Sequence, residues 1–433
     1  MASPPPARLV RVFGLPGLTA IAVNGVIGSG IFVLPATVAG LLGPASPVAY
    51  LLAALVAALV VACFAEAGSL FDRTGGPYLY AREAFGPFVA FQVGWAFFLS
   101  RLAAAAAIGN AFASYLGYLW PAATGGPGRA VAITVLLAGL AAVNFAGVRY
   151  GGWTVNVLTV AKLVPLLLFV SVGLFHTDAD RYSLLALPDS GRLRQASLLL
   201  IFAFGGFENA SVPGDESKDP RRHLPVALLA AIALTAVLYV LVQIVALGTL
   251  PGLARDPTPL ASAARSFLGP AGALAIALGA VVSTAGSSSA LALVGPRILY
   301  ALAEGGQLPA AFARVHERHR TPHVAIFAFS VVAWAAALLG DFARLAAVSA
   351  VARLVFSAAT CLAVPVLRRR IPGRERFHVP GGVLVPAAAA GLCVWLLTGL
   401  DAAQAAAGAT ALVAGLLLYL ALGRSAPARP HGR

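Results

Sequence analysis

Positions 26–32 read Val-Ile-Gly-Ser-Gly-Ile-Phe, and the fold class follows from this motif and its surroundings. The motif lies in a charge-free apolar segment from Val12 to Ala65, which is too long for the apolar region of a cleaved signal peptide. Two glycines around a serine allow a helix to unwind, and backbone unwound at membrane depth must line a cavity that supplies hydrogen-bond partners. The segment therefore predicts two membrane spans, of which the first is interrupted.

The composition of the whole chain indicates a membrane protein. Of its 433 residues, 60% are hydrophobic and 11% are charged, and the mean hydropathy is +0.88, which excludes a soluble domain. The net charge of +14 does not predict a nucleic-acid partner, because the basic residues lie in short loops between apolar runs. Cys63, Cys361 and Cys393 lie singly in apolar segments, so neither a metal site nor a disulfide framework is predicted.

Cutting the apolar runs at their Pro, Gly and charge clusters predicts twelve transmembrane helices. Their ranges are 16–43, 47–71, 88–119, 129–147, 152–175, 195–213, 224–248, 270–303, 322–340, 342–367, 383–400 and 402–422. An even number places both termini on one side. If that side is the cytoplasm, its segments hold 19 of the 30 Lys and Arg residues. The sequence therefore predicts a multi-pass plasma (inner) membrane protein with cytoplasmic termini.

An internal repeat relates the two halves of the chain. Gly28 in span 1 and Gly205 in span 6 are 177 residues apart, and Gly-Pro pairs at 86–87 and 269–270 are 183 apart. Five spans per repeat is an odd number, so the second copy must be inverted. The predicted fold is an all-α integral membrane protein with a 5+5 inverted repeat, broken helices 1 and 6 and two extra helices. Its single membrane domain would comprise a first repeat (1–175), a second repeat (195–367) and spans 11–12 (383–422).

The broken helices predict a particular ligand chemistry. Amides at the start of the second half of span 1 carry the positive end of a helix dipole, which favours a carboxylate. Carbonyls freed at the end of its first half, and near Gly205 and Gly206, favour an ammonium group or a metal cation. A carboxylate site beside an ammonium site fits an α-amino acid. The alternative is that these glycines only allow helices to pack closely.

At these positions the sequence resembles the amino acid–polyamine–organocation (APC) superfamily of secondary transporters, which has the LeuT-like fold. The resemblance covers nearly the whole chain, and its motifs lie at 27–32, 202–210, 215–220 and 295–303. It implies that the span 1 motif binds the substrate carboxylate, that backbone groups of spans 1 and 6 hold the amino group, and that span 6 aromatics gate the pocket. The implied binding residues are Ile27, Gly28, Ser29, Gly30, Ile31, Phe202, Phe204, Gly205 and Phe207.

Lys162 lies in the middle of span 5 and is one of only two lysines in the chain. It is similar to a lysine that, in sodium-independent members of the superfamily, takes the place of a sodium ion between span 1 carbonyls and span 8 hydroxyls. Among the hydroxyls of span 8, we expect Ser287 or Ser288 to make that contact. A lysine that snorkels to the membrane interface is the alternative.

Four further charged residues within the spans, two acidic and two basic, bear on function. Glu208 is interpreted as a protonatable coupling group, in preference to a fixed carboxylate paired with Arg101 or Arg353. Glu66, with the amphipathic stretch 75–86 that follows it, resembles the first cytoplasmic loop of the superfamily. Glu66 is therefore predicted to form a salt bridge at the inner gate rather than to bind substrate.

The sequence thus predicts a secondary transporter of an amino acid or related amine that works by alternating access, with lipid bilayer around it. It would be sodium-independent, and coupled to protons or exchanging substrates. No cofactor is expected. A sodium-coupled symporter of the same fold is the first alternative. A membrane sensor or enzyme is the second, but no cluster of Asp, His and Cys marks an enzyme site and no soluble output domain is visible.

Overall fold

The computed structural model of the protein describes residues 14–71, 76–147, 152–183, 188–208, 220–371 and 377–422, without the side chains of 152–158 and 220–221. Within these ranges the regular structure is entirely helical. The α-helices are α1 (Leu15–Val26), α2 (Gly30–Leu42), α3 (Ser46–Ser69), α4 (Gly76–Phe85), α5 (Pro87–Leu116), α6 (Gly126–Ala146), α7 (Gly152–Gly173), α8 (Ser190–Ala203), α9 (Pro220–Thr249), α10 (Pro259–Glu304), α11 (His323–Leu339), α12 (Phe342–Arg370), α13 (Leu384–Leu397) and α14 (Ala402–Leu422).

The helices have the lengths and composition of a membrane protein. Eight stretches of the described residues are long and apolar enough to cross a bilayer, and α1, α11 and α13 are shorter apolar helices. Large apolar side chains face outwards, among them Phe327 and Leu339, which are 72% and 90% exposed. Each of the twelve predicted segments overlaps an α-helix, the first of them two, α1 and α2, and α4 forms the amphipathic stretch between the second and third segments. The prediction of an all-α integral membrane protein is confirmed.

Span 1 is broken where the glycine motif predicts. Helix α1 ends at Val26, and the backbone of Ile27 is extended, with φ −73° and ψ 90°. Helix α2 begins at Gly30, after the N-cap residue Ser29. Because α1 and α2 are separate helices, three residues of backbone at 27–29 lie outside regular structure in the middle of an otherwise apolar span.

Span 6 is interrupted at the repeat-related position. Helix α8 ends at Ala203, and Gly206 has a φ of +114°, which only glycine adopts readily. Helix α8 begins at Ser190, earlier than the predicted 195, because the Asp189 carboxylate accepts a hydrogen bond of 2.9 Å from the Arg192 amide. The end of this predicted span, from residue 209, and positions 215–219 of the motif that follows it lie outside the described residues.

The two Gly-Pro pairs share one backbone geometry. Gly86, before α5, has φ +87° and ψ −178°, and Gly269 has φ +68° and ψ −166°. Gly269 divides α10 into a short helix before it and a long one after it, so the predicted start of span 8 at 270 marks this kink. Equal conformations at positions 183 residues apart are what an internal repeat predicts.

Packing places the broken helices at the centre of the molecule. Helix α1 packs against α7, α9 and α10, and α2 packs against α8 and α10. Helix α5 packs against both α10 and α12. Of the candidate spans, α5 and α12 are the most enclosed, and α14 lies at the periphery. The breaks at 27–29 and 204–206 are therefore surrounded by α5, α7, α9, α10 and α12.

Candidate functional site

The two helix breaks touch each other. A side chain at Gly206 would overlap the carbonyl oxygen of Gly25, and a Cβ at Gly30 would lie 2.7 Å from the Cα of Ala203. Neighbouring backbone, rather than a flexible side chain, fills these positions. The glycines therefore allow the unwound segments to approach at backbone contact distance.

A cavity of about 40 Å³ lies beside the two breaks. Helices α1, α2, α5, α8, α10 and α12 and the break residues contribute to its wall. Its lining residues are Asn24, Gly25, Val26, Gly28, Ser29, Gly30, Arg101, Ala104, Ile108, Phe202, Ala203, Gly205, Gly206, Ser287, Ala290, Leu291 and Arg353. The volume holds a few water molecules at most.

The cavity brings together some of the predicted binding residues and not others. Gly28, Ser29, Gly30, Phe202 and Gly205 line it, as the resemblance implies.

The remaining predicted residues pack elsewhere. The ring of Phe204 lies 5.1 Å from that of Tyr239, and the ring of Phe207 lies 5.2 Å from that of Phe64. Both phenylalanines also line a separate void of about 10 Å³, so in this conformation neither reaches the main cavity. Ile31 is fully buried in the apolar core.

Polar groups without partners face the cavity at the start of α2. The first amides of a helix have no intrahelical acceptor, and the first backbone hydrogen bond here is donated by Phe32 to the Ser29 carbonyl, at 3.1 Å. The hydroxyls of Ser29 and Ser287 are buried and have no hydrogen-bond partner among the described residues. Buried donors without acceptors are costly, so this wall is suited to an anionic group.

Lys162 occupies the other side of the break. Its ammonium donates hydrogen bonds of 2.7 Å to the Ile27 carbonyl and 3.2 Å to the Asn24 carbonyl, at the end of α1. The side chain is fully buried, so the alternative of a lysine at the membrane interface is wrong. The ammonium satisfies helix-terminal carbonyls that carry the negative end of a dipole.

The span 8 hydroxyl beside these carbonyls is not one of the two expected. The Ser283 hydroxyl lies 3.4 Å from both the Ile27 and the Gly28 carbonyl oxygens. Ser287 and Ser288 lie about one turn further along α10, and their hydroxyls have no partner among the described residues. The contact predicted for Ser287 or Ser288 is therefore made by Ser283. The prediction was wrong because an apolar sequence does not show how α10 is rotated about its axis.

Glu208 is paired with both candidate arginines. One of its carboxylate oxygens forms a short contact with Arg353 Nη1, and the other lies 3.4 Å from Arg101 Nη2. The second oxygen also accepts a hydrogen bond of 2.8 Å from the Gly206 amide. Glu208 is therefore the fixed carboxylate, paired with arginine, that was the second interpretation of the sequence, and not the preferred protonatable group. It connects α5 and α12 to the break after α8.

Sequence analysis missed Tyr239, a lone tyrosine hydroxyl in the apolar helix α9. The hydroxyl lies 3.0 Å from the carbonyl oxygen of Val26 and 3.3 Å from that of Ala203, the last residues of α1 and α8. One hydroxyl group thus contacts the last carbonyl groups of both α1 and α8. Its signal in the sequence is a tyrosine hydroxyl in a span that has few other polar side chains, Thr235 and Gln243 among them.

We expect Tyr239→Phe to destabilise the protein by about 1 kcal/mol, because two buried carbonyls lose a donor. Tyr50→Phe is the matched control, since the Tyr50 hydroxyl is equally buried and has no partner among the described residues. Thermal unfolding of both purified variants measures the difference. Equal unfolding temperatures for the two would contradict a bridging role for Tyr239.

Glu66 forms the predicted salt bridge, and its partner is Arg368 at the end of α12. Arg368 donates from Nε at 2.6 Å and from Nη2 at 2.7 Å, one bond to each carboxylate oxygen. The Val379 amide donates a third bond of 2.8 Å, and His378 Nδ1 lies 3.5 Å away. Glu66 is fully buried and lies outside the cavity lining, so it joins α3 to α12 and to the segment after α12.

Comparison with known proteins agrees with this architecture. The chain is 30% identical to the methylthioribose transporter of Bacillus subtilis, over 96% of this chain and 94% of that one. It is 27% identical to the branched-chain amino acid permease BcaP of the same organism, with the same two coverages. It is also 28% identical to the serine/threonine exchanger SteT of that organism, over 86% of this chain and 87% of that one.

These relatives are transporters, and none of their names describes an enzyme. Within the described residues no group of three or more His, Cys, Asp or Glu side chains is placed to hold a metal ion. The model of the family described as "Amino acid permease" matches residues 13–417. The chain therefore belongs to the amino acid permease family of the APC superfamily, and it is a multi-pass membrane transporter.

Proposed function

We propose that this transporter carries an α-amino acid across the plasma membrane by alternating access, without sodium. The observation that carries the proposal is the pair of helix breaks around the cavity. The start of α2 and the hydroxyl of Ser29 would receive the carboxylate, and the carbonyls beside Gly205 would receive the amino group. Ile27 and Ile31 would hold the two half-helices in the core rather than contact the substrate.

Sodium independence is supported by the position of Lys162. Its ammonium already occupies the carbonyls at the end of α1, beside the Ser283 hydroxyl, where a cation would otherwise bind. Lysine, unlike arginine, can release its proton, so Lys162 is also the group through which we propose proton coupling. Glu208 and the serines Ser287 and Ser288 would act as supports of the cavity wall.

Two further parts of the proposal concern topology. Cytoplasmic termini are supported by the excess of Lys and Arg in the loops of that side. An inverted repeat that divides the domain into 1–175 and 195–367 is supported by the matched breaks and by the matched conformations of Gly86 and Gly269. Glu66 and Arg368 would then lie at the inner gate.

A thermal-shift screen of the purified protein tests the substrate class. We expect stabilisation by one or more amino acids and none by the corresponding decarboxylated amines, because the amines lack the group that α2 would bind. A ligand at 100 times its Kd stabilises by about 2.7 kcal/mol, which such a screen resolves. Methylthioribose and common polyamines complete the panel. Stabilisation only by these compounds or by amines would refute amino acid transport.

Uptake of the stabilising amino acid into proteoliposomes then tests the coupling. Replacing external sodium by choline should leave the initial rate unchanged, because Lys162 fills the place of the ion. A rate that rises with sodium would instead establish the sodium-coupled alternative.

A further inference from the structure

Two arginine side chains line the cavity beside the broken helices. Arg101 comes from α5 and Arg353 from α12, and only 1% and 4% of their surfaces are exposed. Within the described part of the chain no acidic side chain lines the same cavity. Its wall is thus basic, although it lies within a membrane protein where each unneeded charge is costly.

Glu208 is shared between the two arginines. Both of its oxygens are engaged, one by Arg353 and the other by Arg101 and the Gly206 amide. One carboxylate between two guanidinium groups leaves this triad with a charge of +1. Glu208 and Arg353 are both among the charged neighbours that act on Arg101. Lys162, on the far side of the α1 end, adds another positive charge near the cavity.

Arg353 also has one donor nitrogen that is not used within the described residues. Its Nε is buried and has no hydrogen-bond partner among the described residues. Gly205 makes room for the guanidinium, because a side chain at that position would overlap its central carbon. A buried charged donor without an acceptor is costly, and an acceptor on a bound molecule would remove that cost.

We propose that Arg101 and Arg353 form an anion subsite for the side chain of the substrate. The inference rests on the amino acid transport proposed above and names its substrate class. The α-carboxylate lies at α2, and the side chain ends in a carboxylate or amide oxygen that faces the guanidinium groups. A cationic side chain is disfavoured, because it would face two guanidinium groups and no acidic side chain among the described lining residues. The small cavity favours short side chains.

Binding to the wild-type protein tests the subsite directly. The probes are L-aspartate, L-asparagine, L-alanine and L-lysine, and the readout is the dissociation constant of each. Aspartate is expected to bind more tightly than alanine by on the order of tenfold, with asparagine between them and no binding of lysine. Lysine binding as tightly as aspartate, or alanine binding more tightly than aspartate, would overturn the subsite.

The variant Arg101→Gln tests whether the second guanidinium group causes the preference for aspartate over alanine. It leaves a neutral pair of Glu208 and Arg353, so the ratio of alanine to aspartate dissociation constants should fall by on the order of tenfold. Arg344→Gln is the matched control, since Arg344 lies on α12, as Arg353 does, and its side chain is 86% exposed. An unchanged ratio in a folded Arg101→Gln protein contradicts the proposal. If that variant does not fold, the wild-type ratios decide.

The two proposals fail in different ways. If none of the probes and no other amino acid binds, amino acid transport itself is refuted, and the subsite with it. If alanine binds and aspartate binds no better, the amino acid site stands and only the anion subsite is refuted.

Discussion

Replacing Lys162 by methionine is expected to lower the transport rate about 100-fold while the protein remains folded. Methionine fills nearly the same space and removes the charge. The carbonyls of Ile27 and Asn24 each lose a hydrogen bond from a charged donor, which contributes roughly 1.5–3 kcal/mol. A combined loss of about 3 kcal/mol corresponds to about two powers of ten in the population of the competent state. The residual transport should no longer depend on pH.

Val160→Met is the matched control for this experiment. It places the same side chain on α7 two residues away, at a position that is 58% exposed on the outer surface of the helix. Transport by this variant should equal that of the wild type. Initial uptake rates in proteoliposomes across a pH series, with gel filtration to check folding, measure both variants. Unchanged uptake and an unchanged pH profile in Lys162→Met would refute the role given to Lys162.

Gly206→Ala is expected to abolish transport and to destabilise the protein by roughly 3 kcal/mol or more. Two independent penalties combine at this position. The φ of +114° is one that an alanine adopts only with strain. The added methyl group would also overlap the Gly25 carbonyl, which is backbone and has little freedom to move. The end of α8 must therefore separate from the end of α1, and the wall of the cavity opens.

Gly139→Ala provides the comparison, because Gly139 lies on the exposed face of α6 with no atom within 4 Å of the added methyl group. Alanine in a helix is more favourable than glycine by about 0.5–1 kcal/mol, so this variant should be as stable as the wild type or slightly more stable. Thermal unfolding and uptake distinguish the two. A Gly206→Ala protein with wild-type uptake would show that the breaks need not touch.

The breaks and the buried lysine were predictable because each is a local exception in an apolar sequence. Gly28 and Gly30 interrupt a span that has no other reason to stop, and Lys162 is a lone charge far from either helix end. The unwound backbone and the buried charge need hydrogen-bond or charge partners, and few such partners are available at membrane depth. The isolation of Lys162 indicated that it needs a partner, and the resemblance to the APC superfamily implied that the span 1 carbonyls supply it.

What sequence analysis missed depends on helix rotation and on distant partners. Ser283 rather than Ser287 faces the α1 carbonyls, and Phe204 packs on Tyr239 rather than in the cavity. Helices that are apolar on almost every face carry no periodic signal that sets their rotation. The partner of Glu208 on α12 lies 145 residues away along the chain, so the choice between a proton carrier and a fixed carboxylate needed coordinates.

The hydrogen bonds of Glu66 have a consequence for how α3 and α12 can separate. Arg368 and the Val379 amide reach the carboxylate from α12 and the segment after it, whereas Glu66 itself belongs to α3. If only one of them left, the buried carboxylate would keep part of its donors, which costs free energy. We therefore expect Arg368 and the Val379 amide to leave Glu66 in one step, rather than one after the other, whenever α3 and α12 separate here.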